Sequence, residues 1–344
     1  MRTFAALLCL LLSAPSDAVE MEKLSLSSGH EMPVVGLGTG AINRADEVDR
    51  AITSALGIGY RHIDTAFSYG NEAAIGQAVK RWLAQGGKRQ DLFLTSKLPN
   101  QANRPDSVER YLNKSLADLG MDYVDMYLIH LPFGVKEGKD MTPMQQDGRE
   151  ILEDDVDHVA IWKEMEKQVK SGRAKSIGVS NFNEAQISKI YDSAQIKPSN
   201  LQVESHVYLQ QPALQKFCKD KNIVMTAYAP LGSQNTRNYL HKGTAKELPP
   251  AAELPIVKRL AKKYNKSTSQ ILLRHSVQNG LVVIPKSINP TRQKDNISLF
   301  DFKLTDDEMK QLDSLDKGEQ GRVYDFLAWY KDLDKNKQYP FGKI

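Results

Sequence analysis

Four side chains with complementary acid–base character stand just beyond apolar runs in the first 130 residues. They are Asp64 and Tyr69 in Asp-Thr-Ala-Phe-Ser-Tyr-Gly-Asn-Glu, Lys97 in Thr-Ser-Lys-Leu, and His130 in Leu-Ile-His-Leu-Pro. A tyrosine hydroxyl titrating near ~10 is a poor proton donor at neutral pH, and an adjacent ammonium favours its phenolate. Lys97 is the candidate cation. A lowering of the tyrosine by ~2 units would correspond to roughly 2.7 kcal/mol of differential interaction. Asp64 would position the lysine and balance its charge. His130 can donate a hydrogen bond to a carbonyl oxygen and stabilise the oxyanion that forms as a nucleophile reaches carbon. None of the four is that nucleophile, and a hydride is the missing partner. Taken singly, each has an ordinary reading: a helix cap, a packed ring, a solvated lysine, a satisfied rim histidine.

These residues need a scaffold that gathers loop positions distant in sequence. After a short hairpin pattern around Ser28-Gly29, β-type apolar runs alternate with amphipathic stretches, which predicts βαβ units and a parallel sheet. The expected strands are 34–37, 60–63, 92–96, 124–129, 174–179, 200–203, 223–227 and 281–284. Eight is the count of a (β/α)8 TIM barrel, in which the loops after the strands meet at one face. Helix starts are legible at Pro105-Asp106-Ser107, before a segment ending at Gly120, and at Ser267-Thr268-Ser269, before one ending at Gly280. Three polar stretches exceed ordinary connections and are expected as substrate loops: 132–155, 232–250 and the tail 317–344.

The bulk properties agree with one α/β domain. The 344 residues are 41% apolar and 26% charged, enough for a large core without metal or disulfide staples. A formal charge of +4 with scattered basic residues excludes a nucleic-acid footprint and leaves a mild preference for small anions. Arg2, the apolar run from Phe4 to Leu12 and Ser16-Asp17-Ala18 read as a secretory signal peptide over 1–18, followed by a barrel over 19–344. The expected location is therefore extracellular. No stretch reaches ~18 consecutive apolar residues, so no membrane anchor is expected. Cys9 leaves with the signal, and Cys218, beside Phe217 in an apparent helix, reads as a buried inert thiol.

With Asp64, Tyr69, Lys97 and His130 in this order and context, the chain resembles the aldo-keto reductases over nearly its whole mature length. Further matching motifs are Met-Pro-Val-Val-Gly-Leu-Gly-Thr-Gly at 32–40, Gly-Val-Ser-Asn-Phe at 178–182, Ala-Tyr-Ala-Pro-Leu-Gly-Ser at 227–233 and Ile-Pro-Lys-Ser at 284–287. No Gly-x-Gly-x-x-Gly opens a helix, which disfavours a Rossmann reading. The resemblance implies NADPH-dependent reduction of a small-molecule carbonyl by a monomer, with those four residues catalytic. It places Tyr228 beneath a nicotinamide ring, and Ser180, Asn181 and Gln202 on its carboxamide. Leu231 and Ser233 match pyrophosphate contacts and Thr39 a further cofactor-side position. Lys286, Ser287 and Arg292 match the group that receives a 2'-phosphate, a suitable set for a dianion. Asp295 and Asn296 match adenine contacts.

The resemblance breaks at three pocket positions. Many relatives carry aromatic residues where this chain has Gly40, Pro99 and Leu131, so a wider, less aromatic pocket is expected. Phe133, Tyr324, Phe326, Trp329 and Tyr330 are candidates to rebuild part of its wall. A roomy apolar pocket suits a steroid-sized carbonyl, and a secreted member with this pocket is similar to the insect haemolymph enzymes that reduce 3-dehydroecdysone. Two other readings stand beside this one. A barrel can bind a steroid or nucleotide without turnover. His62, Asp64, His130 and His206 are alternatively ligands of a metal-dependent hydrolase, although no His-x-His pair supports that.

Overall fold

In the computed structural model the described residues are 21–137, 151–153, 155–244 and 246–341. The expected signal peptide and Cys9 lie outside them. The chain opens with an antiparallel hairpin of β1 (Lys23–Ser25) and β2 (Glu31–Pro33). The strands that follow are β3 (Leu37–Gly38), β4 (His62–Asp64), β5 (Phe93–Leu98), β6 (Val124–Ile129), β7 (Gly134–Val135), β8 (Leu152–Glu153), β9 (Ala174–Ser180), β10 (Asn200–Glu204), β11 (Val224–Tyr228) and β12 (Val282–Val283). The principal helices are α1 (Ala45–Ile58), α2 (Glu72–Ala84), α3 (Val108–Leu119), α4 (His158–Lys170), α5 (Glu184–Ser193), α6 (Pro212–Asp220), α7 (Gln234–His241), α8 (Pro255–Tyr264), α9 (Thr268–Gln278), α10 (Pro290–Ile297) and α11 (Asp306–Asp313).

Eight strands lie side by side in the order β3, β4, β5, β6, β9, β10, β11, β12, every pair parallel. The sheet closes on itself. Gly36 N–H donates to the Val283 carbonyl at 2.9 Å, Val283 N–H to the Val34 carbonyl at 2.8 Å, and Val35 bridges Val283 in parallel. The result is the expected single-domain (β/α)8 barrel. All eight expected strands are present, 124–129 with both ends unchanged and the others with ends shifted by no more than three residues.

Most of the helices cover the barrel through an apolar stripe, α1, α3 and α8 among them. α1 buries Val48, Ala51, Ile52, Ala55 and Leu56, the spacing of one helical face. Fully burying such side chains stabilises by about 1.5–3 kcal/mol each for the larger aliphatic ones. α9 starts as expected: Ser267 accepts from Gln270 N–H while the Gln270 side chain returns to Ser267 N–H, a capping box. The hairpin plugs the N-terminal end of the barrel, where Leu26 and Met32 pack on Phe93, Met126, Leu128 and Val282.

The three long polar stretches are more structured than their composition suggests. The described ends of the first pair as β7 and β8, the second contains α7, and the tail crosses the C-terminal mouth. Asn100 Nδ2 donates to the Tyr330 hydroxyl, Gln186 Nε2 to the Gln338 carbonyl and Asn183 Nδ2 to the Pro340 carbonyl, so the tail is stitched across several loops. Cys218 is buried on α6, and burial pushes its thiol up to about 12, as an inert core residue requires. Among the described residues, no helix is long and apolar enough to cross a membrane.

Candidate active site

Asp64 ends β4, Lys97 is the fifth residue of β5, and His130 follows β6 directly, so three adjacent parallel strands deliver their side chains to one rim. Register holds them together, with Asp64 opposite Thr95 and Lys97 opposite Leu128. Tyr69 arrives from the turn Phe67–Tyr69 after β4. Lys97 Nζ donates to Asp64 Oδ1 at 2.6 Å and to the Thr65 carbonyl at 2.9 Å, and stands 3.5 Å from the Tyr69 hydroxyl. The Tyr69 and His130 rings meet edge to face at 5.6 Å. All four expected catalytic residues therefore converge.

The electrostatics of this group differ in one respect from the sequence expectation. Burial raises the pKa of the Tyr69 hydroxyl, and the Lys97 ammonium only partly offsets the rise, so the net direction is up rather than down. The physical cause is the cost of a buried phenolate. Burial alone would lower the Lys97 pKa, but Asp64 and Tyr69 outweigh it and leave the ammonium firmly charged. His130 is driven well below the ordinary histidine value, first by burial and then by Lys97. The set at neutral pH is thus a protonated tyrosine, a charged lysine and a neutral imidazole. Such a set can donate a proton and a hydrogen bond to a carbonyl oxygen.

The expected cofactor-side residues sit on the next strand ends. Ser180 closes β9 and Asn181 follows it at φ 64°, in the left-handed region. Gln202 lies in β10 opposite Ser180, and Tyr228 closes β11 opposite Glu204. These side chains bond to one another. The Tyr228 hydroxyl donates to Asn181 Oδ1 at 2.9 Å, Asn181 Nδ2 donates to Ser180 Oγ and to the His130 carbonyl, and Gln202 Nε2 donates to Asp64 Oδ2 at 2.7 Å. Gln202 is therefore also the second support of Asp64. Thr39 is fully buried, and its hydroxyl donates to the Asp64 carbonyl at 2.9 Å, so it braces the catalytic strand instead of offering that proton to a ligand.

Leu231 and Ser233 occupy the turn after β11, half-buried. Ala229 and Ser233 there have φ of 50° and 43°, a conformation L-residues with side chains adopt only when their surroundings hold them. Lys286 and Arg292 are exposed at the loop before α10 and its first turn, and among the described residues neither has an acidic partner. Ser287 is buried, accepting from Asn289 N–H and donating to its carbonyl. Asp295 is half-buried and Asn296 buried, which leaves Asn296 little surface for contact with an adenine.

The pocket candidates divide. Gly40 borders Tyr69: a Cβ placed there would sit 3.4 Å from the phenol Cζ. Trp329 is 42% exposed and stacks with Tyr324 at 6.3 Å. Pro99, Leu131 and Phe133 are buried, and Phe133 packs against Phe326 and Tyr330. The sequence reading of Phe133 as pocket wall is corrected accordingly, since it anchors the tail.

Several supporting residues escaped the sequence reading. Asn71 donates to the Thr39 and Ile42 carbonyls and accepts from Thr65, tying the loops after β3 and β4. Its place in Tyr-Gly-Asn-Glu, two residues beyond Tyr69, was the available signal. Glu204 is fully buried and accepts from Val323 N–H at 2.8 Å, Tyr324 N–H at 2.9 Å and His206 Nε2 at 3.0 Å. On the other edge of the same tail segment, Arg237 donates to the Gly321 carbonyl and His241 Nε2 lies 3.1 Å from the Val323 carbonyl. The histidines of the metal-site alternative do not assemble. His62 is buried with Nδ1 3.2 Å from the Pro33 carbonyl and a pKa lowered by burial to about 4, and His206 pairs with Glu204. Among the described residues, no group of three or more His, Cys, Asp or Glu is placed to hold a metal ion.

Comparison with known proteins agrees with this geometry. The model of the aldo/keto reductase family matches residues 34–317. Aldo-keto reductase family 1 member A1 of Xenopus tropicalis is 44% identical over 304 residues, 88% of this chain and 90% of the relative. Aldo-keto reductase family 1 member C4 of Macaca fascicularis is 41% identical over 326 residues, 92% and 98% of the two chains. The structure of the aldose reductase from Schistosoma japonicum superposes with a TM-score of 0.84 at 38% identity, covering 94% of this chain and 99% of that one. The chain belongs to the aldo/keto reductase family and is an oxidoreductase.

Proposed function

We propose that this enzyme reduces a bulky, steroid-sized ketone or aldehyde with NADPH, 3-dehydroecdysone being the compound we name, and that Tyr69 delivers the proton to the new alcohol. The observation that carries the reaction is the placement of the Tyr69 hydroxyl beside the buried Lys97–Asp64 pair, with its ring edge to face against the neutral His130 ring. Enzymes of this family generally use NADP(H), and the donor set suits that nucleotide. Tyr228 offers an aromatic face for the ring, while Ser180, Asn181 and Gln202 offer amide and hydroxyl partners for a carboxamide. Two exposed cations without an acidic partner among the described residues, Lys286 and Arg292, flank the start of α10, where a phosphate is well received. When bound, the reduced nicotinamide supplies hydride. The chain's own task is to hold the carbonyl oxygen between Tyr69 and His130 and to replace its charge with a proton.

Gly40 supports the choice of substrate. With no side chain at position 40, a wide ring system can approach the Tyr69 phenol from that side. The test follows NADPH absorbance with purified protein and 3-dehydroecdysone, an aromatic aldehyde or a short aldose, with NADH as a parallel donor. The expected result is the highest kcat/KM for the steroid and a clear preference for NADPH. Turnover of the small carbonyls alone would retain the reaction and overturn the substrate. No turnover of any of the three would favour a barrel that binds without reacting.

We further propose that the protein is secreted as a monomer after removal of residues 1–18. Of its three Asn-x-Ser sequons, Asn113 and Asn265 are exposed and Asn296 is buried. Protein recovered from the medium of secreting cells should begin at Val19, sediment as one chain, and carry glycan at Asn113 or Asn265 but not at Asn296. Retention of the leader, or glycan at Asn296, would contradict the proposal.

A further inference from the structure

The catalytic side chains are supported from behind to different degrees. Lys97 is held by Asp64 and the Thr65 carbonyl, and Asp64 in turn by Gln202. His130 has no such support: among the described residues, no group hydrogen-bonds to either of its ring nitrogens, and the ring meets Tyr69 edge to face. Its aim at a substrate oxygen therefore depends on the backbone that carries it.

Side chains hold that backbone at four successive carbonyls. Asn181 Nδ2 donates to the His130 carbonyl at 3.0 Å, Asn103 Nδ2 donates to the Leu131 carbonyl at 2.8 Å and the Phe133 carbonyl at 2.9 Å, and His158 Nε2 meets the Pro132 carbonyl at 2.6 Å. The donors come from three places: the end of β9, the turn Asn100–Ala102 that Asn103 closes, and the first residue of α4. Because a carbonyl can only accept, Asn103 must turn its amide hydrogens toward 131 and 133, and His158 must carry its proton on Nε2. His158 is buried with its ring 4.7 Å from that of Phe182, and burial lowers its pKa, so the neutral tautomer is the one present. Asn103 is buried as well, and among the described residues its Oδ1 has no partner. An interior amide rarely leaves an oxygen unpaired, and this one does so while both its hydrogens serve the segment beside His130.

We propose that Asn103 and His158 are positioning residues for carbonyl reduction: by pinning the carbonyls of Leu131, Pro132 and Phe133, they hold the segment after β6 so that the His130 imidazole points at the substrate oxygen. The proposal rests on the role given above to His130. Both residues act through the backbone and take no part in proton transfer. The leverage is large, because a displacement of about 1 Å in a group that meets the reacting atoms can cost about 100-fold in rate. Asn181 belongs to the same cradle but also faces the proposed nicotinamide, so the two residues that serve His130 alone are the ones to test.

The experiment is a double-mutant cycle on kcat/KM, read by NADPH consumption with whichever of 3-dehydroecdysone, the aromatic aldehyde and the short aldose wild type turns over fastest. The variants are His130→Ala, Asn103→Ala, His158→Leu, each of the last two combined with His130→Ala, and His158→Gln. Asn103→Ala and His158→Leu should each lose about 10- to 100-fold in kcat/KM, with the NADPH dissociation constant within about twofold of wild type. On the His130→Ala background the same changes should cost at most about threefold more, because the group they aim is already gone. General loosening of the barrel would instead multiply with His130→Ala. His158→Gln, which can present an N–H to the Pro132 carbonyl, should recover most of the loss. Single variants within about twofold of wild type, losses that multiply, or a His158→Gln enzyme as slow as His158→Leu would overturn the proposal. Near-normal turnover by His130→Ala would strike the role of His130 and this proposal with it, whereas a crippled His130→Ala beside active Asn103→Ala and His158→Leu strikes this proposal alone. If one of the two positioning variants does not fold, the other completes the cycle.

Discussion

Tyr69→Phe should lower turnover by about 10²–10⁴, the usual contribution of a positioned proton donor, while NADPH still binds. The substitution removes one oxygen and leaves the ring that packs edge to face with His130. Lys97 loses only its most distant contact, at 3.5 Å, and keeps Asp64 and the Thr65 carbonyl. The defect should therefore fall on kcat, with the NADPH dissociation constant within a few-fold of wild type. The pH profile sharpens the test. Because the hydroxyl's pKa is raised, carbonyl reduction should hold through neutral pH and fall only as the phenol ionises at alkaline pH. The variant should lose that alkaline limb. Turnover near wild type would remove Tyr69 from its role.

Lys97→Met should cost about 3–5 kcal/mol of stability in addition to activity, because it leaves the Asp64 carboxylate buried without its cation. Lys97 is 0% exposed and Asp64 2%, so water cannot replace the lost partner. The remaining support, Gln202 Nε2, is neutral. A fall of roughly 5–15 °C in Tm is expected for a domain of this size. Asp64→Asn added to Lys97→Met should recover much of that loss, since it removes the stranded charge and leaves an amide oxygen for Gln202. An unchanged Tm in the single variant would show that the pair is not buried as described.

How far the sequence reached depends on what each feature is made of. The eight strands were legible because apolar β-type runs also bury on folding, and their ends were less so because β3 is only Leu37–Gly38 in a closing seam. α7 was read as a polar loop for a physical reason. Its buried positions are Arg237 and His241, which dock by hydrogen bonds, so no apolar stripe marks the helix. The catalytic residues were legible from their places just past strand ends. Their partners were not: whether Gln202 faces a ligand or Asp64, and whether Thr39 braces a carbonyl, depends on orientations that residue spacing does not contain. The direction of the Tyr69 shift was misjudged because a nearby cation is visible in a motif and the degree of burial is not.

The docking of the tail has a consequence for how such an enzyme diversifies. Glu204 reads the N–H groups of Val323 and Tyr324, while Arg237 and His241 read the carbonyls of Gly321 and Val323. Nearly every amino acid carries these groups, and proline at 323 or 324 is excluded because it lacks the N–H. At Val323 and Tyr324 this anchorage reads backbone alone, whereas Gly321 must stay glycine because a Cβ there would collide with the Tyr208 carbonyl, and the family model ends at residue 317, just before this segment. New substrate preferences can be written into the aromatic residues beyond it by successive replacement, while the proton donor and its barrel are inherited intact.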